Sequence, residues 1–255
     1  AIKAAMDGAG ITTVNEVIMG NVLPAGQGQA PARQAGFAAG LGESVPATTL
    51  NKMCGSGMKT TMFGFDQIAL GESDVLAVGG MESMSNAPFI LPKMRSGARL
   101  GHAEVKDHMF LDGLEDAYEK GRLMGAFAED CAEKYQFTRE AQDEYALTSL
   151  SNALAAEKNG AFKNEIVSIS VNSPKGVKTI VSDEQPAKAR PEKIPHLKPA
   201  FRKDGTVTPA NSSSISDGAA ALILSSEEYA RLNGLKIRAK ILGHSSHAQH
   251  PGWFA

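Results

Sequence analysis

One stretch concentrates residues that could do chemistry: Asn51-Lys52-Met53-Cys54-Gly55-Ser56-Gly57-Met58. Cysteine attacks as its thiolate, and a free cysteine is mostly thiol at neutral pH. Position can change that. Unpaired N–H groups at a helix start act as a partial positive charge, which favours the thiolate. The same groups can cradle a developing oxyanion. The flanks predict such a position. Val45 to Leu50 reads as a short buried strand. Met58, Met62, Phe65 and Ala69 recur at the spacing of one helix face, predicted here to be the buried one, and Gly71 stops the helix. Gly55 and Gly57 are expected to turn the chain sharply and leave open space beside the sulfur. A buried, inert structural thiol is the bland alternative. The residues alone leave both readings open.

The elements that must position Cys54 follow from the rest of the chain. Residues 1–8 read as a helix end closed by Gly8 and Gly10. Val14 to Val22 reads as a strand, Pro31 to Ala39 as a small-residue helix, and Val75 to Val78 as a strand buried on both faces. Ala219 to Leu224 reads as a final buried strand and Lys236 to Gly243 as the start of another. Strands alternating with helices predict an α/β fold with a mostly parallel sheet. Between them the character changes. Pro88, Pro92, Gly97 and Gly101 punctuate an irregular stretch, and helices are predicted near 113–136 and 138–159. The second has Thr138 as N-cap, Leu147, Leu150 and Leu154 as its apolar stripe, and Gly160 as its stop. Ile166 to Val171 alternates like a strand, and 172–210 reads as basic loop. The expected organisation is a core from residues 1–86, an insertion over 87–211, a last core strand within 212–235, and a further segment over 236–255.

Composition narrows the class. With 42% hydrophobic and 21% charged residues, the 255-residue chain has the make-up of a globular protein with a real core. A net charge of −2 gives no general pull toward nucleic acid or an anionic membrane. No apolar run approaches the ~20 residues that span a bilayer. Two cysteines, Cys54 and Cys131, are too few for a disulfide scaffold and fit a reducing compartment. Cytoplasmic is the expected location, with mitochondrial left open.

Asn51-Lys52-Met53-Cys54-Gly55-Ser56-Gly57-Met58-Lys59 resembles the active-site segment of thiolases. Four more segments match that family in order: Glu16 to Val22; Gly79-Gly80-Met81-Glu82-Ser83-Met84-Ser85; Met124-Gly125 with Ala128-Glu129; and Gly205 to Thr208 through Asn211 to Ala220. The resemblance implies a thiolase-like αβαβα half carrying an inserted, mostly helical loop domain. It implies that Cys54 is the acyl-accepting nucleophile. It implies acyl transfer between coenzyme A thioesters by a two-step, ping-pong route, with coenzyme A and acetyl-CoA as substrates and no tightly bound cofactor. Assembly as a homodimer or homotetramer is the matching expectation, without nucleic acid, membrane or metal. Within the family, the acetyl-CoA acetyltransferase branch is favoured over longer-chain 3-ketoacyl-CoA thiolases. Leu123, where many acetoacetyl-CoA thiolases carry His, weakens that choice.

By the same resemblance, Ser213 contacts the pantetheine chain of coenzyme A, Met124 lies beside the thioester pocket, and Lys188 or Arg190 meets a phosphate. The bland readings are simpler. Lys188 to Lys203 is a solvated basic loop, and Asn211 to Ser214 is a hydroxyl-rich turn capping Asp217-Gly218. Cys131 is a packed mid-helix thiol. His244, His247 and His250 invite a metal, but their spacing shares no single face and no Cys or carboxylate cluster completes a site.

Thiolase chemistry also needs a base His in a G-H-P segment, a second Cys in a C-G-G-G segment and an Asn in an N-E-A-F segment. None occurs here. The family's first strand, expected centrally in the sheet, is absent too. The expectation is an N-terminal-half fragment that can at most be acylated at Cys54. A β-ketoacyl synthase-like condensing enzyme and a non-enzymatic binding protein of the same fold are the competing readings. The first conflicts with Asn51-Lys52 and Gly80-Met81-Glu82-Ser83, the second with an intact Cys54.

Overall fold

A computed structural model describes residues 1–174 and 176–254. Lys175, inside the predicted insertion, and Ala255, at the end of the 236–255 segment, lie outside the described residues. The elements are α1 (Ile2–Ala9), β1 (Glu16–Gly20), α2 (Pro31–Ala38), β2 (Ala47–Leu50), α3 (Ser56–Ala69), β3 (Val75–Ser83), β4 (Phe89–Ile90), β5 (Lys106–Asp107), α4 (Met124–Tyr135), α5 (Arg139–Lys158), β6 (Ile169–Ser173), β7 (Gly176–Ile180), α6 (Glu184–Lys188), β8 (Asp217–Ser225) and α7 (Glu227–Leu232). They form two compact units, one from residues 1–121 and 215–247, the other from 122–214 and 248–255.

The first unit is a three-layer α/β/α arrangement. Its sheet has the order β2-β1-β3-β8, with β1, β2 and β3 parallel and β8 antiparallel to β3. On one face α1 and α2 cover Val17, Met19, Val75 and Ala77 with Ile2, Met6 and Ala32. On the other, α3 lies over Ile18, Leu76 and Val78. This alternation along β1 and β3 is what a sheet buried on both sides requires. The four strands are contiguous, with β1 bonded directly to β3 from Glu16↔Leu76 to Gly20↔Gly80. No gap is left between β1 and β3 in the described sheet.

Several local expectations hold. Gly10 and Gly71 take positive φ just past the ends of α1 and α3, and Gly40 does the same after α2. Thr138 Oγ1 accepts from the Ala141 N–H, capping α5, and Gly160 lies just past its end with positive φ.

Other expectations fail for identifiable reasons. The buried face of α3 is Ser56, Thr60 and Gly64, whereas Met58 is 69% exposed and Ala69 is exposed. The helix sits so close to the sheet that a Cβ on Gly64 would come within 2.9 Å of Leu224 and 3.0 Å of Val78. Only small residues fit between. The apolar run Ala219 to Leu224 lies in the edge strand β8, whose side chains are exposed or half-buried, Leu222 being 56% exposed. Residues 236–243 form no helix or strand. The predicted 113–136 helix begins only at Met124, after a π-type turn over Phe110–Leu114 and a loop. The supposed loop after Val171 contains β7, which pairs with β6 as a hairpin, and the short α6. The Leu147/Leu150/Leu154 stripe is at most half-buried; the buried residue of α5 is Asp143.

Thr60 fastens α3 to the sheet. Its buried Oγ1 lies 2.7 and 3.0 Å from the Gly57 and Gly79 carbonyls, which share its one proton, and accepts from the Gly79 N–H at 3.0 Å. Thr60→Val keeps the shape and removes these bonds. Loss of a buried polar pairing costs about 1–3 kcal/mol, so a matching fall in urea unfolding free energy is expected. At the far end of β3, Ser85 donates from both its N–H and Oγ to the Asp217 carboxylate. The Ser85 hydroxyl, then its N–H, hold that carboxyl below its ordinary value. A depressed carboxyl stabilises the fold above its unfolded pKa and loses that contribution as pH falls below the ordinary aspartate range. Asp217→Asn should therefore lower the melting temperature at neutral pH, with the difference from the unsubstituted chain shrinking as pH falls through the acid range.

Candidate active site

Cys54 sits between β2 and α3, exposed, on the turn that opens the helix. The turn is not made by the glycines. Met53 adopts φ 49°, while Gly55 has φ −84° and Gly57 is already helical. Left-handed backbone is costly for a residue with a Cβ, so its neighbours must hold it. Asn51 Oδ1 accepts from the Met53 N–H at 2.8 Å. Ser56 Oγ accepts from the Lys52 N–H at 2.8 Å and donates to the Met53 carbonyl at 2.5 Å. Gly55 N–H bonds Lys52 O and Ser56 N–H bonds Met53 O. Side chains three and two residues from the sulfur thus brace both sides of it.

The first i→i−4 bond of α3 runs from Lys59 N–H to Gly55 O. The N–H groups of Gly57 and Met58 consequently have no intrahelical acceptor, the ordinary condition of a helix start. A thiol beside such a terminus is set in a partial positive field.

The glycines serve packing instead of turning. A Cβ on Gly20, at the end of β1, would lie 2.6 Å from Ser56 Cβ and 2.9 Å from Gly57 N. One on Gly80 would lie 3.4 Å from Gly57 Cα and 3.6 Å from Gly20 O. Three backbones therefore meet beneath the Cys54 turn with no side chain between them. The space ascribed to Gly57 is filled by β3. Gly79 and Gly80 both lie close to neighbouring backbone, and a Cβ on Gly79 would overlap the Ala220 carbonyl of β8.

The other predicted site residues lie in the second unit. Met124 is the half-buried first residue of α4, and Leu123 is its N-cap. Ser213 is exposed in an irregular loop. Lys188 ends α6, exposed and 3.5 Å from Glu184. Arg190 is exposed two residues later. Within this unit the structure joins two of the sequence segments through a residue to which no role was given. Buried Glu129 accepts from the Thr206 N–H and hydroxyl and from the Val207 N–H, at 2.9–3.2 Å. Asn211 does not cap Asp217; it donates to Asp143 Oδ1 and Thr206 O at 3.0 Å, and its Oδ1 accepts from Thr208 N–H at 2.7 Å. The 205–213 loop is thus tied to α4 and α5. The signal for Glu129 was available as a carboxylate on an apolar helix face.

His244 Nε2 lies 2.8 Å from Asp66 and its ring meets Phe65 edge-on, while His250 Nδ1 accepts from Gly252 N–H. Among the described residues no three His, Cys, Asp or Glu side chains converge as metal ligands. No described helix is long and apolar enough to cross a membrane.

A profile of the family described as "Thiolase, N-terminal domain" matches residues 1–228. The chain belongs to the thiolase family. Among its curated thiolase relatives, the chain is 48% identical over 253 residues to a probable acetyl-CoA acetyltransferase of Dictyostelium discoideum, covering 98% of this chain and 61% of that protein. It is 49% identical to acetyl-CoA acetyltransferase 2 of Arabidopsis thaliana, covering 100% of this chain and 64% of that one. The solved acetyl-CoA acetyltransferase of Syntrophomonas wolfei superposes with a TM-score of 0.86 at 41% identity, covering 92% of this chain and 60% of that one. Acat5 thiolase of Ascaris suum, solved in complex with coenzyme A, gives 0.82 at 40%, again covering 92% and 60%. This thiolase chain thus spans about three-fifths of the length of these relatives.

Gly20→Ala tests the glycine contact. The new methyl must displace Ser56, so Cys54 alkylation by iodoacetamide should slow at least several-fold, while Gly8→Ala, whose Cβ meets nothing within 4 Å, leaves it unchanged.

Proposed function

We propose that Cys54 is the nucleophile of a thiolase that moves acyl groups between coenzyme A thioesters, through an acyl-enzyme and by ping-pong kinetics. The observation that carries the reading is the exposed sulfur at the opening of α3, next to first-turn N–H groups with no intrahelical acceptor. In the cleavage direction the Cys54 sulfur adds to the ketone carbonyl of a 3-ketoacyl-CoA. The bond between C2 and C3 breaks, and its electron pair leaves on C2 of acetyl-CoA, which takes up a proton. The acyl group stays on sulfur as a thioester until the thiol of free coenzyme A attacks it and regenerates Cys54. Synthesis is the reverse. Donors at the helix start meet the negative charge that develops on the carbonyl oxygen.

Acetyl and acetoacetyl groups are the favoured cargo, supported by the names of the relatives. The second unit is read as the coenzyme A-binding insertion, with Ser213 and Met124 toward the pantetheine and thioester and Lys188 or Arg190 toward phosphate. Proton transfer to and from the α-carbon requires groups that these 255 residues do not supply. The chain by itself is therefore expected to accept one acyl group and not to complete carbon–carbon bond formation.

Incubation with acetyl-CoA followed by peptide mass spectrometry should find one acetyl group, on the Cys54 peptide, and none in Cys54→Ser. Iodoacetamide should label the exposed Cys54 faster than the half-buried Cys131, and prior acetylation should block the Cys54 reaction. Labelling of both thiols in parallel, with no acetyl transfer, would overturn the assignment.

A further inference from the structure

The braces around Cys54 do not end at Asn51 and Ser56. Glu82, near the end of β3, turns its carboxylate onto the residues that follow β1. Its Oε2 accepts from the Val22 N–H at 2.9 Å, and its Oε1 accepts from the Leu23 N–H and from Asn21 Nδ2, both at 3.0 Å. Asn21 is 2% exposed and donates a second bond to the Met81 carbonyl at 3.0 Å. Its Oδ1 has no partner. Both of its neighbours are acceptors, so the amide can face only one way. The amide thereby commits both of its donors, to Glu82 and to the Met81 carbonyl.

The arrangement holds the peptide of Val22. That residue's N–H goes to Glu82, and its carbonyl accepts from Asn51 Nδ2 at 3.4 Å. Asn51 passes the constraint on, because its Oδ1 takes the N–H of Met53, the left-handed residue beside Cys54. The Asn21 N–H reaches the carbonyl of Leu50 at 3.0 Å, one residue before Asn51. One residue earlier, Gly20 is the backbone on which Ser56 rests. The segment from Gly20 to Leu23 is thus a shelf under the nucleophile turn, and Glu82 is what fixes its height.

We propose that Glu82 is a positioning residue for Cys54, acting through the Val22 peptide and the Asn51 amide. The inference rests on the reading of Cys54 as the acylated nucleophile. In Glu82→Gln one carboxylate oxygen becomes an NH2 that must face an N–H donor, so the shelf loses at least one bond. In Asn51→Ala the shelf is kept and its link to Met53 is cut.

The test is a double-mutant cycle on the rate of Cys54 acetylation by acetyl-CoA and of its alkylation across pH, with circular dichroism confirming the fold of each variant. Each single substitution should slow alkylation at least tenfold in the absence of acetyl-CoA, and acetylation at least tenfold at saturating acetyl-CoA with the half-saturating concentration little changed. Glu82→Gln with Asn51→Ala should be no slower than the worse single variant, since both break one chain of contacts. Multiplicative slowing, or a folded Glu82→Gln variant acetylated at the wild-type rate, would overturn the proposal. Should Glu82→Gln fail to fold, Asn21→Ser, which withdraws one donor from Glu82, is expected to slow acetylation by a smaller factor, and an unchanged rate would overturn the proposal equally. Failure of the underlying reading has a different signature, namely no acetylation of Cys54 in the wild-type chain.

Discussion

The first unit depends on how closely α3 can approach the sheet. Gly20, Gly57 and Gly80 let two strands and a helix start touch as bare backbone. Thr60 then supplies polar bonds at the point of contact. Close-packed interiors transmit displacement, because a neighbour has nowhere to go when a methyl group is added. The position of residue 54 is therefore set by the sheet beneath it. A left-handed Met53 is tolerable only in such a setting, where Asn51 and Ser56 satisfy the peptides on both of its sides.

Both units use one device to hold loops. A carboxylate accepts from successive backbone N–H groups where no strand or helix is present to accept them. Glu82 does so for Val22 and Leu23, and Glu129 for Thr206 and Val207. Hydrogen bonds to a charged acceptor are shorter and stronger than neutral ones, and a partly buried carboxylate needs several donors to offset its lost hydration. Asp143 extends the pattern, taking Asn211 Nδ2 on one oxygen and Arg139 Nε, at 2.7 Å, on the other. The loop that carries Ser213 is fastened through these acidic residues of α4 and α5.

Much of the first unit was legible in the residues. Gly10, Gly40 and Gly71 end helices where their type said they would, because positive φ has few alternatives to glycine. Val75 to Val78 read as doubly buried, since a continuous apolar run of that length has little else to do. The second unit was less legible. Its hairpin β6–β7 carries mostly exposed side chains, so no alternation in polarity marked β7. The face of α3 was misread because periodicity reports which residues are apolar, while close approach selects which are small.

Residue identity alone determined the family, the α/β class and the cysteine on a strand-to-helix turn, because these are written in local spacing and in five ordered segments. Only the tertiary structure decided what makes that turn. The strain sits on Met53 and not on glycine, the glycines meet one another across β1, α3 and β3, and Glu82 reaches back some sixty residues to Val22. Such contacts join positions far apart in the chain, and no local pattern of polarity or size encodes a distance that only the folded sheet brings within a hydrogen bond.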